Sequence, residues 1–194
     1  MKPAKPGARS FAASFTQKFN FMKNVILKYG LISGAVSVVL MTITMMWFKQ
    51  SGTLEGGEIF GYASMILSML FVYIGVRVFR DQHRNGTITF GEAFKIAGLI
   101  ALVSCACYVI GWMFIYEFMM PDFMDQYITF YLDKMKADGK VEADIQKASA
   151  EMMQYKELYK NPLYRMGLSF IEPLPVALLV SLVSAALLRR KGQA

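Results

Sequence analysis

Apolar residues along this chain fall into four long blocks, at about 29–48, 59–76, 96–116 and 166–188, and polar residues gather between them. A helix needs about 20 apolar residues to cross the hydrocarbon core of a bilayer. Each block is near that length and predicts one transmembrane helix. Between the third and fourth blocks the pattern becomes amphipathic. Met124, Ile128, Tyr131, Leu132 and Met135 form one stripe at three- and four-residue spacing. Val141, Ile145, Ala148, Met152, Tyr155 and Tyr159 form another, and Asp138-Gly139 separates the two. That spacing predicts a helical hairpin over 121–160, its stripes facing each other or the membrane.

The connections carry their own signals. Arg77, Arg80 and Arg84 flank Asp81 at helical distances, which predicts that span 2 continues as a helix beyond the membrane. Asn85-Gly86 is a turn signal, and Thr89 with Glu92 three residues later matches a capping box that starts the next helix. Asn161-Pro162 suits a helix N-terminus, with Asn as cap and Pro in the first turn, so span 4 begins before its apolar core. Span 1 carries Gly30 and Gly34, with Ser33 and Ser37, and span 2 carries Ser64 and Ser68. Small residues four apart let another helix approach closely.

Residues 1–28 hold six Lys or Arg and no acid, and no small-residue cleavage site follows the apolar run 29–48. The first seven residues, with two prolines and a glycine, are expected to lack structure. Phe11, Phe15 and Phe19 share a helical face, which suits a short helix at the lipid interface; the other reading is a loose basic leader. The stretch 77–95 adds four cations and the tail 189–191 adds three, against seven plus Arg165 in the longer connections on the other side. The positive-inside rule then puts both termini and the arginine loop in the cytoplasm. The expected fold is an all-α, multi-pass membrane protein with four transmembrane helices and an extracytoplasmic helical hairpin between spans 3 and 4. It divides into a basic leader, 1–21, and a four-span domain, 22–194.

Composition agrees, with 55% hydrophobic and 18% charged residues, where soluble domains are near one-quarter charged. The net charge of +7 invites a nucleic-acid reading, but the cations cluster beside the spans as topology requires, so no nucleic acid is expected. Cys105 and Cys107 lie two apart on one helix, point to different sides and suit packing better than bridging. With His83 the one histidine, no familiar metal-ligand set exists, and the methionines fall at helical spacing as packing residues. No metal or cofactor is expected. Neither a zinc-protease motif nor a Ser–His pair within a span is present, so the chain is not expected to be an enzyme.

The residue that breaks the pattern is Glu172, near the front of span 4 and followed by Pro173 and Pro175. A carboxyl within hydrocarbon is costly and usually has a use. At about 1.5 Å per residue it lies about 10 Å below Arg165. Thr44, Tyr62, Ser64, Tyr108 and Trp112 reach comparable depth on the other spans and form with Glu172 a candidate intramembrane polar site. Arg165 is expected to reach outward to lipid headgroups. Arg77, Arg80 and Arg84 are further headgroup candidates, or serve only to fix orientation.

Several strings occur together: MKNVILKYGLISG from Met22, GYASMILSMLF from Gly61, IGVRVFRDQHRNGTITFGEAFK from Ile74, YVIGWMF from Tyr108, PDFMDQY from Pro121, and YKNPLYRMGLSFIEPLPVALLVSLVSAALL from Tyr159. The set resembles the bacterial membrane family catalogued as domain of unknown function 4199, from about Met22 to the C-terminus. The resemblance implies a four-span protein of the bacterial inner membrane and brings no catalytic residues. Members resembling this chain tend to begin near the position of Met22, so residues 1–21 are expected to be either an added leader or the product of an upstream start. Two functions are weighed: a structural or accessory subunit that meets a protein partner or a second copy through its small-residue helix faces and outer hairpin, or a carrier or binder of a small solute, proton or lipid centred on Glu172. An enzyme and a sensor of lipid or envelope state are lesser alternatives.

Overall fold

A computed structural model describes the backbone of residues 7–190 and the side chains of residues 20–57 and 59–190. Seven helices carry the described chain: α1 (Gly7–Ser51), α2 (Gly57–His83), α3 (Phe90–Phe118), α4 (Phe123–Ala137), α5 (Glu142–Tyr159), α6 (Pro162–Ile171) and α7 (Leu174–Leu188). Four stretches are long and apolar enough to cross a membrane: Asn20–Ser51, Ile59–His83, Phe90–Phe118 and Pro162–Leu188, the last made of α6 and α7 in succession. The backbone logic is that of a bilayer, where every N–H and C=O must find its partner within the segment. The outward surface matches. Leu31, Ile43, Ile66, Leu70, Ile110, Phe114, Leu179 and Leu187 are all exposed, as lipid-facing side chains are.

The helix α3 is central and packs against α1, α2, α6 and α7. Lipid tails are as apolar as leucine, so helices in a membrane associate through close contact rather than water exclusion. Gly34 shows how α1 and α3 achieve it: a Cβ there would stand 2.3 Å from Cys107 Cβ and 2.8 Å from its Sγ. Buried Ser33 donates to the Ser68 carbonyl at 2.9 Å and lies 2.9 Å from Ser104 Oγ, which joins α1, α2 and α3 at one polar node. The faces of Gly30, Gly34, Ser33 and Ser37, expected as docking surfaces for a partner, are therefore occupied within the chain. Gly34→Val should destabilise the fold by about 1–3 kcal/mol, the usual range for overpacking. A lowered unfolding midpoint in detergent would register it; an unchanged midpoint would mean the seam can spread without penalty.

One end of the bundle is closed by the loop between α2 and α3. Asn85 and Gly86 take positive φ (48° and 80°), as the turn signal requires. Thr89 caps α3 by accepting from the Glu92 amide at 3.3 Å. Glu92 turns its carboxylate to Arg84. Ile88 and Arg190 exchange backbone hydrogen bonds at 3.1 and 3.0 Å, tying the loop to the end of α7. The arginines expected at headgroups are largely engaged in the fold: Arg80 is buried, bonded to Asp81 at 2.7 Å and directed at the Leu188 carbonyl, while exposed Arg77 lies 3.7 Å from Asp81.

The leader differs from expectation in one respect. Backbone helix runs without interruption from Gly7 into span 1, instead of a separate short helix. Phe21 stacks on His83 at 5.0 Å between ring centres, so the end of the leader is tied to α2. The expected Phe11, Phe15 and Phe19 face lies outside the residues whose side chains are described, and residues 1–6 lie outside the described backbone. At the opposite end of the bundle, α4 and α5 run antiparallel around Gly139, which takes φ 71°, and Asp125 pairs with Lys156 across them. Met124, Ile128, Ile145 and Tyr159 are buried as their stripes predict. Tyr131 and Val141 are exposed instead, Val141 beside the turn and Tyr131 midway along α4.

Candidate functional site

The candidate site begins with an interruption in the fourth span. Asn161 starts α6 by accepting from the Leu163 and Tyr164 amides at 2.9 and 3.5 Å. Ten residues later the helix stops. Pro173 and Pro175 have no N–H to give to the carbonyls of Ser169 and Ile171, and their rings crowd those carbonyls. The helix resumes as α7 at Leu174, leaving Glu172 at the junction. The two halves then take different neighbours: α7 packs on α2 and α3, α6 on α3 and α5. Beside this junction lies a cavity of about 650 Å³, to which the span contributes Leu168, Ser169, Ile171 and Glu172.

Its wall comes from all the helices but α7. Thr44, Tyr62, Ser64, Tyr108, Trp112 and Glu172, the polar residues that depth alone selected, all line it. Their hydrogen bonds are more divided than expected. Tyr108 Oη donates to Glu172 Oε2 at 3.0 Å. Thr44 donates to the Leu40 carbonyl of its own helix at 2.9 Å, and Trp112 Nε1 donates to Tyr159 Oη at 2.6 Å. Glu172 thus has a direct partner in Tyr108, while Thr44 and Trp112 contribute walls. The cavity extends beneath the α4–α5 pair, which supplies Phe123, Tyr127, Tyr155 and Tyr159. Burial pushes the Tyr159 phenol above its ordinary range, so it stays protonated at neutral pH.

Arg165 departs from expectation. It does not reach outward; it is buried, with 4% of its surface exposed. Its Nη2 donates to Glu117 Oε2 at 3.2 Å, its Nη1 to the Tyr159 carbonyl at 3.4 Å, and its guanidinium lies 4.2 Å from the centre of the Tyr116 ring. The physical reason is the chemistry gathered at that level. A guanidinium is weakly hydrated and suits a carboxylate edge together with an aromatic face, and α3 offers both at its end. The result is a clasp joining α3, α5 and α6 above the cavity. The acid at Glu117, the last residue but one of α3, was the signal for it in the sequence.

The matched region of the family pattern covers residues 28–190, most of the chain. The chain belongs to the DUF4199 family. Its members are described as proteins of unknown function. No curated protein and no solved structure matches the chain. In this DUF4199 protein, then, the chemistry must be argued from the cavity itself. Its wall combines one carboxyl, several phenols and an indole with methionine and phenylalanine side chains, among them Met41, Met45 and Phe48 of α1. Such a wall can hold a molecule by apolar contact and orient it by one or two polar bonds, the usual composition of a small-molecule site.

Proposed function

We propose that this DUF4199 protein binds or carries a small amphiphilic molecule within the membrane, in the cavity beside Glu172. The supporting observation is the convergence of six polar side chains from four helices on one space of about 650 Å³, a size suited to a ligand and larger than a packing defect. Trp112 offers the test, since the chain has two tryptophans and the other, Trp47, lies half-exposed beside Phe60. In a Trp47→Phe background, a brominated short-chain amphiphile should quench Trp112 saturably, and Ser64→Trp, read by equilibrium binding, should block its uptake. Quenching that rises linearly with total amphiphile, with equilibrium binding unchanged by Ser64→Trp, would indicate partition into detergent and defeat the reading.

A second reading, an accessory subunit with a protein partner, draws support from Val141, Met153 and Leu158, apolar residues exposed on the α4–α5 pair. Stoichiometric co-purification of a partner that Leu158→Asp abolishes would favour it. Both readings carry the same proposed topology in a bacterial inner membrane, with cytoplasmic termini and an extracytoplasmic α4–α5 pair. A Lys140→Cys variant in a Cys105→Ala, Cys107→Ala background should react with an impermeant thiol reagent once the outer envelope is opened. Protection of that site would reverse the orientation.

A further inference from the structure

The occupant can be narrowed by charge. Among the described residues, the cavity wall carries the carboxyl of Glu172 and no lysine or arginine. Arg165, on the same helix, does not line the cavity; its guanidinium is engaged by Glu117 and Tyr116. Whenever Glu172 is ionised, an anionic headgroup beside it would therefore meet a like charge with no cation in the wall to offset it, in a setting where Coulomb terms are stronger than in water. A cation meets the opposite situation. Ionised Glu172 faces it as a counter-charge, and the aromatic side chains of Tyr108, Trp112, Tyr155 and Phe123 line the same space; aromatic rings attract cations, most strongly where water is excluded. A bare divalent metal does not suit this wall, because such ions require several oxygen ligands at once, whereas an organic cation needs one counter-charge and apolar surroundings.

We infer that the cavity takes a lipophilic organic cation, an amphiphilic amine or quaternary onium, with Glu172 as its counter-ion. This rests on the binding reading above. The test uses three probes of similar shape and different charge: tetraphenylphosphonium, tetraphenylborate and the neutral triphenylphosphine oxide. Equilibrium dialysis against the full chain in a neutral detergent reads binding of each. Tetraphenylphosphonium should bind saturably and at least roughly tenfold more tightly than tetraphenylborate. Glu172→Gln, which keeps the shape and the Tyr108 hydrogen bond, should erase that preference, and Glu172→Asp should retain most of it. Equal binding of the two ions, or full tetraphenylphosphonium affinity in Glu172→Gln, overturns the inference. Binding of the neutral probe alone overturns the cation assignment and leaves the cavity reading standing. Saturable binding of none of the three defeats both. Should Glu172→Gln fail to fold, as judged by helix content and gel filtration, the wild-type preference between the two ions decides.

Discussion

Replacing Arg165 with methionine should loosen the α4–α5 pair from the bundle at a cost of about 2–5 kcal/mol. The figure combines a charge-assisted hydrogen bond, about 1.5–3 kcal/mol, with a partly desolvated cation–π contact, about 0.5–2 kcal/mol. Methionine keeps the length and much of the apolar stem, so what is lost is the fork of donors to Glu117 and to the Tyr159 carbonyl, and the stacking on Tyr116. The effect should be uneven. Glu117 is mostly exposed, with 61% of its side chain accessible, so Glu117→Gln should cost less, about 1 kcal/mol or under as exposed partners do. Arg165→Lys should fall between, because an ammonium keeps the charge but not the planar fork. Amide hydrogen exchange along α5 reads this directly. Faster exchange in α5, with α1 and α3 unchanged, is the expected result for Arg165→Met. Uniform acceleration through all helices would mean that Arg165 supports the whole bundle, and no change would remove the clasp from the account of what holds α5 in place.

The placement of Arg165 is not legible in the sequence for a physical reason. Rise per residue places a side chain at a depth but does not say what stands opposite it on another helix. At its depth the general expectation for a long cation is to extend toward water. What overrides it here is a carboxylate and two tyrosine rings brought there by α3 and α5, elements 48 and 6 residues away in the chain. The same limit governs the small-residue faces. Gly30 and Gly34 announce close approach by a helix, and the pattern is identical whether that helix belongs to the same chain or another; here it is α3. By contrast, features set by local chemistry were legible. Four apolar lengths marked the spans, Asn85-Gly86 the turn, and Thr89 and Asn161 the starts of α3 and α6. Glu172 stood out because a carboxyl in hydrocarbon is expensive. Its neighbours could be selected by depth because straight helices convert residue number into height at a fixed rate. Depth could not reveal the contribution of Tyr155 and Tyr159, since α5 is not a membrane span and its height depends on how the α4–α5 pair folds back.

The interruption at Pro173 predicts the largest change in the site itself. Proline within a helix costs about 3 kcal/mol relative to alanine, and two of them in three residues leave the Ser169 and Ile171 carbonyls without helical donors. In Pro173→Ala, Pro175→Ala both amides return, and α6 and α7 should join into one straight helix. Straightening would move α6 relative to α7 and so change the space that now forms the cavity, to which α6 contributes Leu168, Ser169 and Ile171. Two readouts follow. Spin labels at Leu163 and Leu187, both exposed, span 24 residues; in a straight helix their separation along the axis approaches about 36 Å, and in the wild type it should be measurably shorter. Uptake of tetraphenylphosphonium should fall at least roughly tenfold, a loss of about 1.4 kcal/mol, although Glu172 and every aromatic wall residue remain. Pro173 is itself fully buried, so some stability will be lost through the missing ring contacts, and the single Pro175→Ala variant, at an exposed position, separates that loss from the change in shape. A double variant that keeps the wild-type label distance would show that packing on α3 and α5 imposes the break and that the prolines only accommodate it. One that lengthens to the straight-helix distance yet still takes up the cation would show that the cavity does not depend on the break at all.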